Sequence, residues 1–283
     1  MANYDRILAE LKDWAARKPE LAETLSLYVD LLSAQARADV STCETGDLAR
    51  HAPARLNQGL PILAPESFRA EPAALVQLGG EICRLTARHR PEFTARLTAI
   101  RTWLDTERES ILAVAAEYLR DEGFRTGEEV GLDIPLLAYL FNNALHPFLR
   151  KYAKTLTPFV DESIWYRPQC PICGGAPDFA ALEKETGARR LLCSRCDAEW
   201  AFWRVTCPFC GCDNPDEQKY SATDDQVYRL ALCEGCRRYL KTIDLRQVQD
   251  ERLLPVERIL TLAMDLAAQK VGYAGVSAAA PPA

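Results

Sequence analysis

Eight cysteines of this chain form four Cys-x-x-Cys pairs, Cys170/Cys173, Cys193/Cys196, Cys207/Cys210 and Cys233/Cys236. A two-residue spacer lets a tight turn aim both sulfurs at one point, and two such knuckles complete a tetrahedral shell around zinc or iron. One pair alone would equally mark a redox dithiol. Four pairs in so short a stretch predict two metal ions, each held by four thiolates.

The pairs belong to a repeat. Cys170-Pro171-Ile172-Cys173-Gly174 followed by Cys193-Ser194-Arg195-Cys196 can be laid over Cys207-Pro208-Phe209-Cys210-Gly211 followed by Cys233-Glu234-Gly235-Cys236. Proline stiffens the knuckle, and the glycine after the second cysteine permits a positive φ that turns backbone N–H groups toward sulfur. Aromatic and β-branched residues follow each copy, in Glu199–Val205 and Tyr239–Ile243, and read as strands. This is the layout of a rubredoxin-like domain or zinc ribbon. Pairing within each repeat assigns Cys170, Cys173, Cys193 and Cys196 to one metal and Cys207, Cys210, Cys233 and Cys236 to a second. It is favoured because each copy then forms a complete ribbon; an interleaved arrangement stays open.

Competing uses of the cysteines are weaker. Disulfides need an oxidising compartment, and residues 1–17 read as an amphipathic charged stretch without the apolar core of a signal peptide. A thioredoxin-type dithiol opens a helix, whereas these knuckles run into strands. Cys212 is a ninth thiol beside the third knuckle and reads as a bystander. The isolated Cys43 and Cys83 read as small buried side chains. Four cysteines fill a shell and leave no open position for water or substrate, which disfavours hydrolytic metal catalysis. His51, His89 and His146 lack ligand spacing, so they read as structural, and the chain shows no catalytic constellation.

The elements around the cysteines are helical. Core-facing residues recur at helical spacing at Tyr4, Ile7, Leu8, Leu11 and Trp14; at Leu21, Leu25, Tyr28 and Leu32; at Leu75, Leu78, Ile82 and Leu85; at Phe93, Leu97, Ile100 and Leu104; at Ile111, Val114 and Tyr118; and at Leu136, Tyr139, Leu140, Asn143 and Phe148. The expected fold is α+β: an all-α domain over 1–160, tandem four-cysteine modules over 165–250, a C-terminal helix within 251–275 carrying Ile259, Leu262, Ala263 and Leu266, and a disordered tail over 276–283. Pro53, Pro61, Pro65 and Pro72 mark an ordered loop between the second and third helices. His146-Pro147 marks a helix kink or boundary.

Charge narrows the partners. The chain has 34 basic and 40 acidic residues, and residues 165–250 carry 12 basic against 13 acidic ones. A ribbon that grips nucleic acid shows a basic excess, so no nucleic-acid partner is expected, and the pairs Arg189-Arg190 and Arg237-Arg238 read as solvated. No apolar run has the length of a membrane span.

The stretch from Gly187 to Cys210, with Cys193-Ser-Arg-Cys196, Glu199-Trp200, Trp203-Arg204-Val205 and Cys207-Pro-Phe-Cys210, resembles the signature of the formate dehydrogenase accessory protein family, FdhE. Cys233-Glu-Gly-Cys236-Arg-Arg-Tyr239-Leu-Lys241 and Leu262–Leu266 leading to Gly272-Tyr273 are similar to that family too. The resemblance implies a cytoplasmic, chaperone-like maturation factor, not an enzyme, that binds the catalytic subunit of formate dehydrogenase and carries rubredoxin-type iron, with zinc an occupant in recombinant protein. Assembly is open, a homodimer being one option. The alternatives are a zinc-ribbon adaptor for nucleic acid or protein and a thiol redox protein.

Overall fold

The computed structural model describes residues 3–43 and 45–276; the expected disordered tail lies outside them from 277 onward. The chain divides into two compact units, one of residues 1–50 and 62–158, the other of 51–61 and 159–283. The fold class is α+β, as expected.

The first unit is a helical bundle. Its helices are α1 (Tyr4–Arg17), α2 (Pro19–Ala36), the start of α3 (Gly46–Asn57), α4 (Pro72–His89), α5 (Thr94–Thr106), α6 (Ile111–Leu119), α7 (Arg125–Glu129) and α8 (Ile134–Leu156). Each apolar stripe faces the bundle interior with its central residues: Ile7 and Leu11 on α1, Leu75, Leu78 and Ile82 on α4, Leu97 and Ile100 on α5, Leu140 and Phe148 on α8 are buried. Asn3 and Asp133 cap α1 and α8 by accepting from the N–H groups of Arg6 and Leu136, each at 3.0 Å.

The loop expected around Pro53 and the boundary expected at Pro147 are both overturned. Residues 46–57 are helix α3, not loop, with Pro53 inside it. Helix α8 continues through Pro147, which is therefore not a helix boundary. Proline there removes the N–H that would reach the Asn143 carbonyl, and Gln35 of α2 supplies the missing donor, its Nε2 lying 2.9 Å from that oxygen. Gln35 Oε1 in turn lies 3.1 Å from His146 Nδ1, and the Tyr4 hydroxyl 3.1 Å from the same nitrogen, so His146 is a buried, satisfied histidine.

The second unit is a six-stranded sheet formed by β1 (Pro177–Leu182), β2 (Arg189–Cys193), β3 (Glu199–Phe202), β4 (Gln218–Ala222), β5 (Tyr228–Cys233) and β6 (Arg238–Asp244). The order is β3-β2-β1-β6-β5-β4. Each repeat is an antiparallel three-stranded ribbon, and the two are fused head to tail where β1 pairs in parallel with β6, Phe179 opposite Lys241. Phe179, Ala181, Leu192 and Ile243 line one face and meet Leu254. Leu254 opens α9 (Leu254–Leu260), which is followed by α10 (Leu262–Lys270).

The single C-terminal helix of the sequence reading is thus two. The Arg258 carbonyl accepts from Lys241 Nζ at 2.9 Å and from Thr261 Oγ1 at 3.2 Å, which displaces the next helical N–H and breaks the helix at Thr261. The register changes with it. Leu266, expected in the buried stripe, is 70% exposed, while Ala268 and Tyr273 pack on Leu230 and Tyr239 of the sheet.

Candidate metal centres

The structure gathers the eight knuckle cysteines into two groups, Cys170, Cys173, Cys193 and Cys196, and Cys207, Cys210, Cys233 and Cys236. Pairing is therefore local to each repeat. In the first group sulfurs lie 3.6 Å apart for Cys170 and Cys196, and 3.5 Å apart for Cys173 with both Cys193 and Cys196. In the second they lie 3.7 Å apart for Cys207 and Cys236 and 3.6 Å for Cys210 and Cys233. A tetrahedron with metal–sulfur bonds of about 2.3 Å has edges of about 3.8 Å. Both groups are thus a tetrathiolate cage of the right size for zinc or iron.

The knuckle conformation explains how short segments achieve this. Cys170 N–H donates to the Gly175 carbonyl at 2.9 Å, and Cys207 N–H to the Cys212 carbonyl at 2.8 Å, closing equivalent turns. The residue after each second cysteine takes a positive φ: Gly174 and Gly211 both at 75°, Asp197 at 56° and Arg237 at 54°. This bend exposes N–H groups to sulfur. Ile172 N–H points at Cys170 Sγ (3.4 Å), Arg195 N–H at Cys193 Sγ (3.4 Å) and Phe209 N–H at Cys207 Sγ (3.5 Å). Such donors disperse the excess negative charge of four thiolates.

The surroundings of the two centres differ. All four cysteines of the first are buried, whereas Cys210 of the second is exposed and Cys236 half-buried. Burial pushes the thiols of Cys170 and Cys196 up, while hydrogen bonds from Cys170, Cys193 and Cys196 hold Cys173 well down. At the second centre burial raises Cys207 to about 11. Burial acts the same way on Cys233, but the Cys236 N–H, the Gln218 amide 3.4 Å away and neighbouring thiols outweigh it and bring Cys233 to about 7.

Spacing could not have revealed a second set of residues. Arg258 of α9 is half-buried and places Nη2 2.7 Å from Asp197 and Nη1 3.3 Å from Asp178 and 3.4 Å from the Cys193 carbonyl, which ties the helix to the second knuckle of the first centre. The corresponding knuckle of the second centre is held by the segment after α10: Arg237 stacks over Tyr273 at 3.9 Å, whose hydroxyl donates to Glu234 at 2.6 Å, and Ala274 N–H donates to the Arg237 carbonyl at 2.8 Å. Lys241 is buried against Asp265 at 2.6 Å, and the Tyr239 hydroxyl donates to the same carboxylate at 2.8 Å.

Cys212 stays outside the cages, its thiol 3.4 Å from the Glu217 carboxylate. Cys43 and Cys83 are buried in the helical unit, where loss of solvation raises their thiols to about 11 and about 12. Three of the four paired arginines are engaged within this unit. Arg189 is buried, Arg190 donates to Glu162 at 2.6 and 3.0 Å, and Arg237 to Glu234 at 2.6 Å. Among the described residues no helix is long and apolar enough to cross a membrane.

A helical bundle joined to a fused pair of ribbons, each closing a tetrathiolate cage, defines a tandem-ribbon metal-binding protein. The FdhE central domain matches residues 169–204. The chain is 27% identical over 225 residues to a protein FdhE homolog of Aquifex aeolicus, covering 77% of this chain and 73% of that one. It is 26% identical over 277 residues to a protein FdhE homolog of Haemophilus ducreyi, covering 95% and 86%. The crystal structure of the FdhE protein from Pseudomonas aeruginosa shares the fold, with a TM-score of 0.67 at 21% identity over 97% of this chain and 94% of that one. The family model, the two relatives and the solved structure all place the likeness of this chain with FdhE proteins.

Proposed function

We propose that this protein is a formate dehydrogenase accessory factor that holds the catalytic subunit of that enzyme during its maturation in the cytoplasm. The observation that carries the reading is the pair of closed tetrathiolate cages in a chain that aligns with FdhE relatives over most of its length. Closed cages offer no position for substrate, so the protein acts by binding and not as an enzyme. The sites suit iron as well as zinc. Iron in such a shell exchanges one electron, at a potential set by hydrogen bonds to sulfur and by solvent access. We assign iron as the native metal and zinc as its substitute in foreign hosts. A nucleic-acid partner is disfavoured because Arg189 is buried and Arg190 and Arg237 are matched to carboxylates.

An anaerobic pull-down of the full tagged chain from its native host tests the reading. Recovery of the formate dehydrogenase catalytic subunit, lost when Cys193 and Cys196 are both replaced by serine, supports it; recovery of nucleic acid or of unrelated dithiol proteins refutes it.

A further inference from the structure

We infer that Arg189, a residue of the first ribbon, is the counter-charge of the second metal centre. Arg189 opens β2 and is buried. Its Nη2 donates to the main-chain oxygens of Trp203 and Thr206, and Thr206 directly precedes Cys207. The guanidinium also lies over the Phe202 ring, 5.2 Å from its centroid, and its Nε has no hydrogen-bond partner among the described residues.

The missing element is a carboxylate. Elsewhere in the sheet unit half-buried arginines are matched to acids: Arg190 to Glu162, Arg229 to Asp244, Arg258 to Asp178 and Asp197. An isolated charge in the interior is costly, so a group of opposite sign must face it when the protein is in its working state. Burial lowers Arg189 to about 10, which still leaves a cation at neutral pH, and its hydrogen bond to the Thr206 carbonyl sets that cation one residue before Cys207. A filled four-thiolate site is an anion, doubly charged with a divalent metal and singly charged with ferric iron. The charge of the second cage is therefore balanced across the ribbon boundary, by the strand that carries Cys193 of the first cage four residues further on.

This inference rests on the cages being metal sites, not on the client or on which metal is native. The test uses the full chain reconstituted anaerobically with iron and titrated through its visible spectrum, comparing wild type with the neutral variants Arg189→Gln and Arg189→Met and the charged variant Arg189→Lys. A cation favours the more negative ferrous site, so a neutral residue lowers the potential of one of the two steps, the one altered by Cys210→Ser. The expected change is on the order of tenfold in the redox equilibrium constant, which is about 59 mV for one electron. Arg189→Lys leaves both steps in place. Equal shifts in the lysine and neutral variants, or no shift in any, would overturn the inference. If neither neutral variant loads the second site, the lysine variant decides: an unshifted step supports a role for charge, and a lost or tenfold-shifted step refutes it. Unloaded wild-type cages would instead refute the metal-site reading.

Discussion

The two ribbons share one knuckle grammar and place it in opposite surroundings. Both have the Cys-Pro-x-Cys-Gly turn, the same main-chain hydrogen bonds and the same positive φ after each second cysteine. The first cage is buried under α9, whose Arg258 reaches the Cys193 carbonyl and Asp197. The second leaves Cys210 in solvent and sits at the β4 end of the sheet, where β4 is largely exposed. Local sequence therefore sets cage geometry, while the segments packed over the cage set its exposure, charge balance and exchange. A buried centre suits structure; an exposed one suits transfer of electrons or metal, because both need access.

The largest effect expected from this comparison comes from emptying one cage at a time. Cys193→Ser with Cys196→Ser removes the first metal and unfolds that ribbon, since a structural metal contributes roughly 10 kcal/mol or more to a small ribbon's folding. It also weakens the second site, because β2 carries Arg189 and β1 supports β6. Cys207→Ser with Cys210→Ser removes one metal and leaves the first site filled. Metal analysis of the two purified double variants checks this: one equivalent in the second variant and less than one in the first. A smaller effect is kinetic. The zinc-loaded protein should release its metal to a chelator in two phases, the second cage emptying about tenfold faster, as expected when first-coordination sulfurs lose their protecting surroundings. A single phase would mean that exposure of Cys210 does not govern exchange.

This contrast also marks what the sequence could disclose. The eight cysteines that the structure gathers were legible, because their grouping depends on a spacing of two residues within one turn. The helical stripes were legible for the same reason, each being periodic over a few turns. Arg258 was not, since its carboxylate Asp197 is 61 residues away and no local pattern announces the pair. Nor was the parallel pairing of β1 with β6, which joins strands from different repeats. Pro53 and Pro147 misled for a physical reason: proline predicts a break from the loss of one hydrogen bond, and at Pro147 a glutamine on another helix makes good that loss. The break at Thr261 carried no proline at all; it follows from Lys241 capturing a helix carbonyl.

The role of the clamp over the first cage can be sharpened with Arg258→Met. The change removes the Arg258–Asp197 ion pair, whose carboxylate is buried, and should cost up to about 3 kcal/mol, the upper scale for losing one partner of such a pair. Denaturant unfolding of the zinc-loaded protein measures it. The comparison requires that the loss appear with faster zinc release from the first cage and unchanged release from the second. Equal acceleration at both would mean that α9 stabilises the sheet as a whole and is no clamp on one knuckle.

The finest test lies in the two glycines that end the first knuckle of each ribbon. Gly174 and Gly211 share a φ of 75°, so alanine at either pays about 1 kcal/mol for the left-handed backbone. Their neighbours differ. A methyl group at 174 would meet Pro61 Cγ at 3.2 Å, while one at 211 has nothing within 4 Å. Gly174→Ala should therefore destabilise more than Gly211→Ala, by an increment on the order of 1 kcal/mol for overpacking. Pro61 belongs to the segment 51–61 that groups with the ribbons, so the increment reports whether that segment braces the first knuckle. Replacing Pro61 with alanine in the Gly174→Ala background should recover the difference. If the two glycine variants unfold alike, the first cage owes its protection to α9 alone, and the asymmetry between the ribbons is made on one side of the sheet only.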